Sequence, residues 1–148
     1  MLKVSTKGRY GLRAMMDLAQ HYGQGPVMMS DISRSQGLSR KYLHALLTSL
    51  REAGLVHSVL GAKGGYYLAK PPLEIRVREI VEALEGPISV VDCVTKADKC
   101  GKLDSCAARL VWTNLTAVIT KALDGVTLDD FVNGSGLLAD DSRSNARG

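Results

Sequence analysis

Aromatic side chains are scarce in this 148-residue chain, which has one Phe, one Trp and five Tyr. A core built from it must therefore be mostly aliphatic. No apolar run approaches the roughly 18 residues that a membrane span requires. The opening Met1-Leu2-Lys3-Val4-Ser5-Thr6-Lys7 has no apolar stretch of signal-peptide length. These absences predict a cytoplasmic protein that does not enter a membrane. There are only three cysteines, an odd number where no secretory signal is present. That argues against a disulfide framework and gives weight to metal or redox chemistry. No nucleophile–base–orienter set and no phosphate-binding glycine loop can be found, so catalysis is not expected.

What is present is charge, unevenly placed. The net charge of +4 hides ten Lys/Arg against three Asp/Glu in residues 1–70, for +7. Residues 71–148 hold nine against twelve, for −3. A basic N-terminal half suits a polyanion, because neutralising phosphates releases counterions whatever the base sequence.

The apolar pattern predicts a first helix from Thr6, as N-cap, to about residue 22, with Leu12, Met15, Met16 and Ala19 on its buried stripe. Gly23-Gln24-Gly25-Pro26 ends it, and Val27-Met28 reads as a short extended segment. A short second helix follows Ser30. Gly37-Leu38 makes a turn, and Ser39 caps a third helix running to Ala53. Leu43, Leu46, Leu47 and Leu50 form its apolar stripe, and Gly54 stops it. Two β-prone runs, 56–60 and 66–69, flank Gly61-Ala62-Lys63-Gly64-Gly65 and predict a hairpin with a basic tip. This order of elements is that of a winged helix-turn-helix.

Pro71-Pro72 breaks the chain before a helix that carries Val77, Ile80, Val81 and Leu84 and ends at Gly86-Pro87. Residues 92–106 show no periodicity and read as a loop. A helix of about 25 Å then runs over 107–123, with Trp112, Leu115, Ile119 and Ala122 on one side and Val111 and Val118 beside them. No other segment is available to bury that stripe, so a two-fold dimer through this helix is expected. Thr127-Leu128-Asp129-Asp130 reads as a capped short helix. The expected organisation is therefore a DNA-binding domain over 1–70, a connecting helix and linker over 71–91 and a cysteine loop over 92–106. A dimerisation helix with a short terminal helix occupies 107–132, and a polar tail 133–148.

On the third helix, Lys41, His44, Ala45 and Thr48 point away from the leucine stripe, with Arg40 and Arg51 flanking them. Such a face can enter the major groove, where Lys or His donates to guanine O6/N7 and Ala or Thr packs on a thymine methyl. Ser39 at the helix start can bond a phosphate. The alternative is an ordinary solvated face. The hairpin favours the first reading, because Gly64 and its neighbours let backbone approach the sugar–phosphate chain and Lys63 supplies the cation.

All three cysteines fall in one 14-residue window, Cys93-x6-Cys100-x5-Cys106. The spacing is too wide for a zinc ribbon or knuckle. Thiolates are the ligands that iron–sulphur clusters prefer. Lys96, Lys99, Lys102 and Arg109 nearby would lower the thiol pKa values and offset a cluster's negative charge. A zinc site completed from outside and a thiol–disulfide sensor are the other readings. Three thiolates leave a fourth position open, for which Asp98, Asp104 or a partner group are candidates.

Taken in order, Ser5-Thr6-Lys7-Gly8-Arg9-Tyr10, Leu50-Arg51-Glu52-Ala53-Gly54-Leu55-Val56, Gly64-Gly65-Tyr66, Leu84-Glu85-Gly86-Pro87-Ile88 and the cysteine loop running into Trp112 resemble the IscR, NsrR and CymR type (Rrf family) of bacterial winged-helix repressors. The resemblance covers nearly the whole chain. It implies a homodimer with crossing long helices, pseudo-palindromic operators in double-stranded DNA and a redox- or gas-sensitive cluster. Members concerned with cysteine metabolism lack the cluster cysteines and answer to a partner enzyme. This chain departs from the pattern in four places. The first cysteine gap is six residues rather than five, and Arg109 stands where a relative has a ligating His. No acid precedes Asp17, and His44 and Leu60 stand where Glu and Arg are usual.

The expectation is a mainly α protein with a small β-wing, acting as a transcriptional regulator, most simply a repressor, that senses iron–sulphur status, redox or nitric oxide. The rivals are a metal-free or thiol-based regulator of sulphur metabolism controlled by a protein partner, and a small iron–sulphur carrier.

Overall fold

A computed structural model describes residues 3–91, 94 and 107–134. Helix α1 (Thr6–Gln20) begins one residue earlier in its capping than expected: Ser5, not Thr6, is the N-cap, and its Oγ accepts from the Gly8 amide at 3.3 Å. The buried face also differs from the predicted stripe. Met15 and Ala19 are buried as expected, but Leu12 and Met16 are only half-buried, and Gly8, Gly11 and Leu18 are buried with them. The cause is close packing. A Cβ on Gly11 would lie 2.0 Å from Leu84 Cδ1, so the two glycines admit a neighbouring helix that an apolar stripe does not reveal.

Helix α2 (Met29–Gln36) ends at Gly37, whose φ of +64° is the left-handed conformation that closes the turn. Ser39 then caps α3 (Arg40–Glu52) as expected, accepting from Tyr42 N at 3.2 Å. Leu43, Leu46, Leu47 and Leu50 of α3 are each at most 2% exposed. Burial of such side chains contributes about 1.5–3 kcal/mol apiece. Strands β1 (Val56–Val59) and β2 (Gly65–Leu68) pair antiparallel from Val56↔Leu68 to Val59↔Gly65. The expected extended segment is real. Val27 exchanges two backbone hydrogen bonds of 2.8 Å with Tyr66, adding a third, one-residue rung to the wing.

After Pro71 the chain makes one 3-10 turn (Pro72–Glu74), which the sequence pattern did not suggest, and enters α4 (Val77–Glu85). The long helix α5 (Ala107–Asp124) and the short α6 (Leu128–Val132) complete the described chain. Helix α6 does not trail away. Leu128 is fully buried in the core, and its amide donates to Ile75 O at 3.0 Å. Val77 N donates to Val126 O at 2.9 Å, and the Arg76 guanidinium donates to Asp124 O at 2.6 Å. The end of α5 is thereby stitched to the start of α4. The core that supports α3 thus extends past residue 70, to Ile75, Ile80, Leu84 and Leu128.

Glu79 caps α4 by accepting from the Arg76 amide at 2.9 Å and binds Lys70 Nζ at 3.0 Å. Burial alone would raise its pKa. The Arg76 amide and the Lys70 ammonium outweigh that and hold the carboxyl below its ordinary range. A depressed carboxylate pKa contributes stability above the unfolded-state value, and that stability is lost as pH falls through the folded one. Glu79→Gln should therefore be less stable than the parent at pH 7. The gap should narrow once pH drops below about 4.3. It will be modest, because the side chains of Lys70 and Glu79 are 38% and 37% exposed. Urea unfolding of both proteins across this range checks the sign.

Candidate nucleic-acid interface

The start of α3 is held from two sides. The Tyr42 ring meets Tyr10 of α1 edge-on at 6.2 Å, and Arg13 stacks over Tyr10 at 5.4 Å. Arg13 Nε also donates to Gln36 Oε1 at 3.0 Å, and Gln36 donates to the buried carboxylate of Asp17 at 3.2 Å. With the leucine stripe buried as well, α3 has one orientation. Ser39, Arg40, Lys41, His44 and Ala45 are exposed on its far side, and Thr48 is half-buried there. Among the described residues Arg40, Lys41 and Lys63 form no ion pair with a carboxylate. The Thr48 hydroxyl donates to His44 O at 2.8 Å, which commits its hydrogen and leaves the methyl and a lone pair for a ligand.

The wing tip closes with Gly64 N donating to Gly61 O at 3.0 Å. Lys63 is exposed, but Gly64 is buried. A Cβ there would sit 2.1 Å from Val59 O, so this glycine is required by the hairpin itself, whatever approaches from outside. Gly65 is required for a different reason, since its Cβ would lie 2.2 Å from Val27 O.

Between α3 and the wing runs a groove of about 500 Å³. Of the residues expected from sequence, Arg40, His44 and Gly64 line it, whereas Ser39, Lys41, Thr48 and Lys63 do not. Three features of the groove escaped the sequence reading. Arg51 Nη1 donates to Ser58 Oγ at 3.1 Å and bridges the end of α3 to β1. Met28 contributes 47%-exposed apolar surface, and Leu60 lines the same groove. The arginine–serine bridge joins residues seven apart across a turn, and only the register of the hairpin could have indicated it.

Cys93, Cys100 and Cys106 lie outside the described residues. The chain on either side of them is anchored on α5. Val90 N donates to Thr116 Oγ1 at 3.3 Å, and the helix itself starts at Ala107, nine residues earlier and about 13 Å away along its axis. Three thiolates with basic neighbours are a donor set that fits an iron–sulphur cluster. Among the described residues no group of three His, Cys, Asp or Glu could hold a metal ion.

The covered side of α5 is not the one expected. Ile119 and Leu123 line a cavity of about 450 Å³ with Val4, Val81, Pro87 and Val90 of the same chain, and Leu115 is half-buried. Leu110, Val111 and Val118 are 70%, 58% and 64% exposed. The predicted Trp112/Leu115/Ile119 stripe is thus partly occupied by α4 and the stretch after it, and the unpartnered apolar face is centred on Val111 and Val118. Among the described residues no helix is long and apolar enough to cross a membrane.

The profile of the Rrf2 family, described as an iron-dependent transcriptional regulator, matches residues 4–134. The chain is 39% identical over 132 residues to the HTH-type transcriptional regulator CymR of Bacillus subtilis, covering 89% of this chain and 91% of that one. It is 39% identical over 137 residues to the HTH-type transcriptional regulator IscR of Pectobacterium atrosepticum, covering 93% and 83%. The solved structure of CymR, the global cysteine regulator of B. subtilis, superposes with a TM-score of 0.77 at 41% identity, covering 90% of this chain and 98% of that one. These relatives are transcriptional regulators rather than enzymes.

Proposed function

The chain belongs to the Rrf2 family of transcriptional regulators, and from that premise we propose that it is a cytoplasmic, homodimeric operator-binding repressor governed by an iron–sulphur cluster. The observation that carries the DNA reading is α3. Four buried leucines leave Arg40, Lys41, His44 and Thr48 on one outward face beside a basic wing. Lys41 and His44 read base edges in the major groove. Ser39 and Arg40 bind phosphate at the helix start, where the dipole favours an anion. Lys63 grips the backbone from the wing tip, and Gly64 keeps that tip in shape. The exposed α5 face around Val111 and Val118 meets its copy, which places two α3 helices on one pseudo-palindromic site.

Cys93, Cys100 and Cys106 hold the cluster, whose iron supplies reactivity toward oxygen, nitric oxide or peroxide when bound. The chain's own contribution is linkage. Val90 is tied to α5 through Thr116, and Glu85 accepts from both the amide and the hydroxyl of Ser5 at the start of α1. The chain leading into the cysteine segment is therefore tied both to α5 and to the start of α1, the elements that set the two DNA-binding units relative to each other. A second reading has a specific observation behind it: the resemblance to CymR is as strong as that to IscR. In that reading a protein partner, not a cluster, controls the dimer.

Replacing Val111 and Val118 by Asp should yield monomers with much weaker operator binding. An unchanged dimer in sedimentation would place the interface elsewhere. Lys41→Ala and His44→Ala should each weaken specific binding by about 1–3 kcal/mol. Lys63→Ala should lower affinity for all sequences and reduce the salt slope by about one. Equal losses by all three on specific and random duplexes would make them all phosphate contacts. Anaerobic titration of one operator with cluster-loaded and apo protein should show about a 5–150-fold difference in affinity. Equal affinity, together with a normal cellular response from a triple Cys→Ser variant, would select the partner-controlled reading.

A further inference from the structure

The most exposed large apolar side chain among the described residues is Leu60, with 95% of its surface open to water. It sits where β1 enters the wing tip. The backbone there is fixed by the Gly64–Gly61 hydrogen bond and by the tight seat of Gly64 against Val59 O, so Leu60 is held out in one place. An isolated apolar residue on a surface is commonplace. This one is not isolated. Val59 is 43% and Met28 47% exposed, and both line the same groove as Leu60, together with Arg40, His44 and Arg51. Lys63 lies three residues on, exposed on the same tip.

An apolar projection that shares its groove with Arg40 and Arg51 does not suit phosphate, which wants the cations alone. It suits what lies between two rows of phosphates: the deoxyribose walls of a DNA minor groove. We propose that Leu60 enters the minor groove beside the bases read by α3 and makes the wing a reader of A·T against G·C pairs. This inference rests on the DNA-binding reading above. The discrimination has a defined source. A G·C pair places the guanine N2 amino group on the groove floor, where a leucine cannot accept its hydrogen bond and where its bulk keeps the side chain from seating. An A·T pair leaves that part of the floor clear. Apolar contact with sugar releases no counterion, so Leu60 adds affinity without adding salt dependence, whereas Lys63 adds both.

The test uses the full chain and duplexes it recovers from a random-sequence library, with the flank under the wing located by hydroxyl-radical protection. That flank is then rebuilt with A·T, G·C or inosine·C pairs, the last lacking the N2 amino group. The parent should bind the A·T and inosine·C flanks about fivefold more tightly than the G·C flank. Leu60→Ser should lose this preference and keep the salt slope. Lys63→Ala should keep the preference and flatten the slope. Leu60 has almost no packing to lose, and an unchanged thermal midpoint confirms that the variant is folded. The proposal is overturned if Leu60→Ser still discriminates between flanks, if inosine·C behaves like G·C, or if the parent shows no flank preference. Failure to select any sequence from the library would instead sink the DNA-binding reading itself.

Discussion

Leu43, Leu46, Leu47 and Leu50 cannot leave the core without exposing most of what holds α3 in place, and each is at most 2% exposed. A helix that buries this stripe must turn Lys41, His44 and Ala45 outward, because they lie on the other side at 100° per residue. Rotation is blocked as well as translation. Tyr42 is held edge-on by Tyr10, and Ser39 fixes the first turn. What the protein can offer a ligand on this face is therefore decided by what it buries beneath it.

The wing depends on the same helix but is fastened by different means. Its strands are four residues each, too short for a hairpin that stands alone. Two attachments compensate. Val27 pairs with Tyr66 on one edge, which needs Gly65 to have no side chain, and Arg51 reaches from α3 to Ser58. The concave space between helix and wing keeps its shape because the wing is tied to α3 through Arg51 and to the segment before α2 through Val27. A hairpin free to swing could not hold Leu60 or Lys63 at a fixed distance from Lys41 and His44.

The elements legible in the sequence were those whose burial is local. Period and cap agreed on α3, and glycines bounding two β-prone runs marked the wing. The errors share a cause. On α1 the buried face is only half given by the apolar pattern, because two of its buried positions, Gly8 and Gly11, carry no apolar side chain to count. On α5 an apolar periodicity running nearly all round did not say which side α4 would cover and which would stay open. The return of Leu128 to Ile75, fifty-three residues apart, is a tertiary fact with no local signal. The cysteine window was visible as composition alone, and its residues lie outside those the structure describes.

That return of the chain bears on how a signal could travel. The long helix is joined to the DNA-binding body at its far end through Arg76, Val77 and Leu128, and near its middle through Thr116 to Val90. Glu85, five residues before Val90, closes on Ser5 and so on the start of α1, whose Tyr10 bears on Tyr42 at the start of α3. The chain before the cysteines, at Val90, and the helix after them, at Thr116 and Asp124, are thus braced on one body. An event between them can shift α3 only by favouring one arrangement of these braces over another, since binding both arrangements equally would change nothing. The brace most exposed to such a bias is the Ser5–Glu85 contact, which is surface-exposed and polar, not the leucine-packed floor of α3.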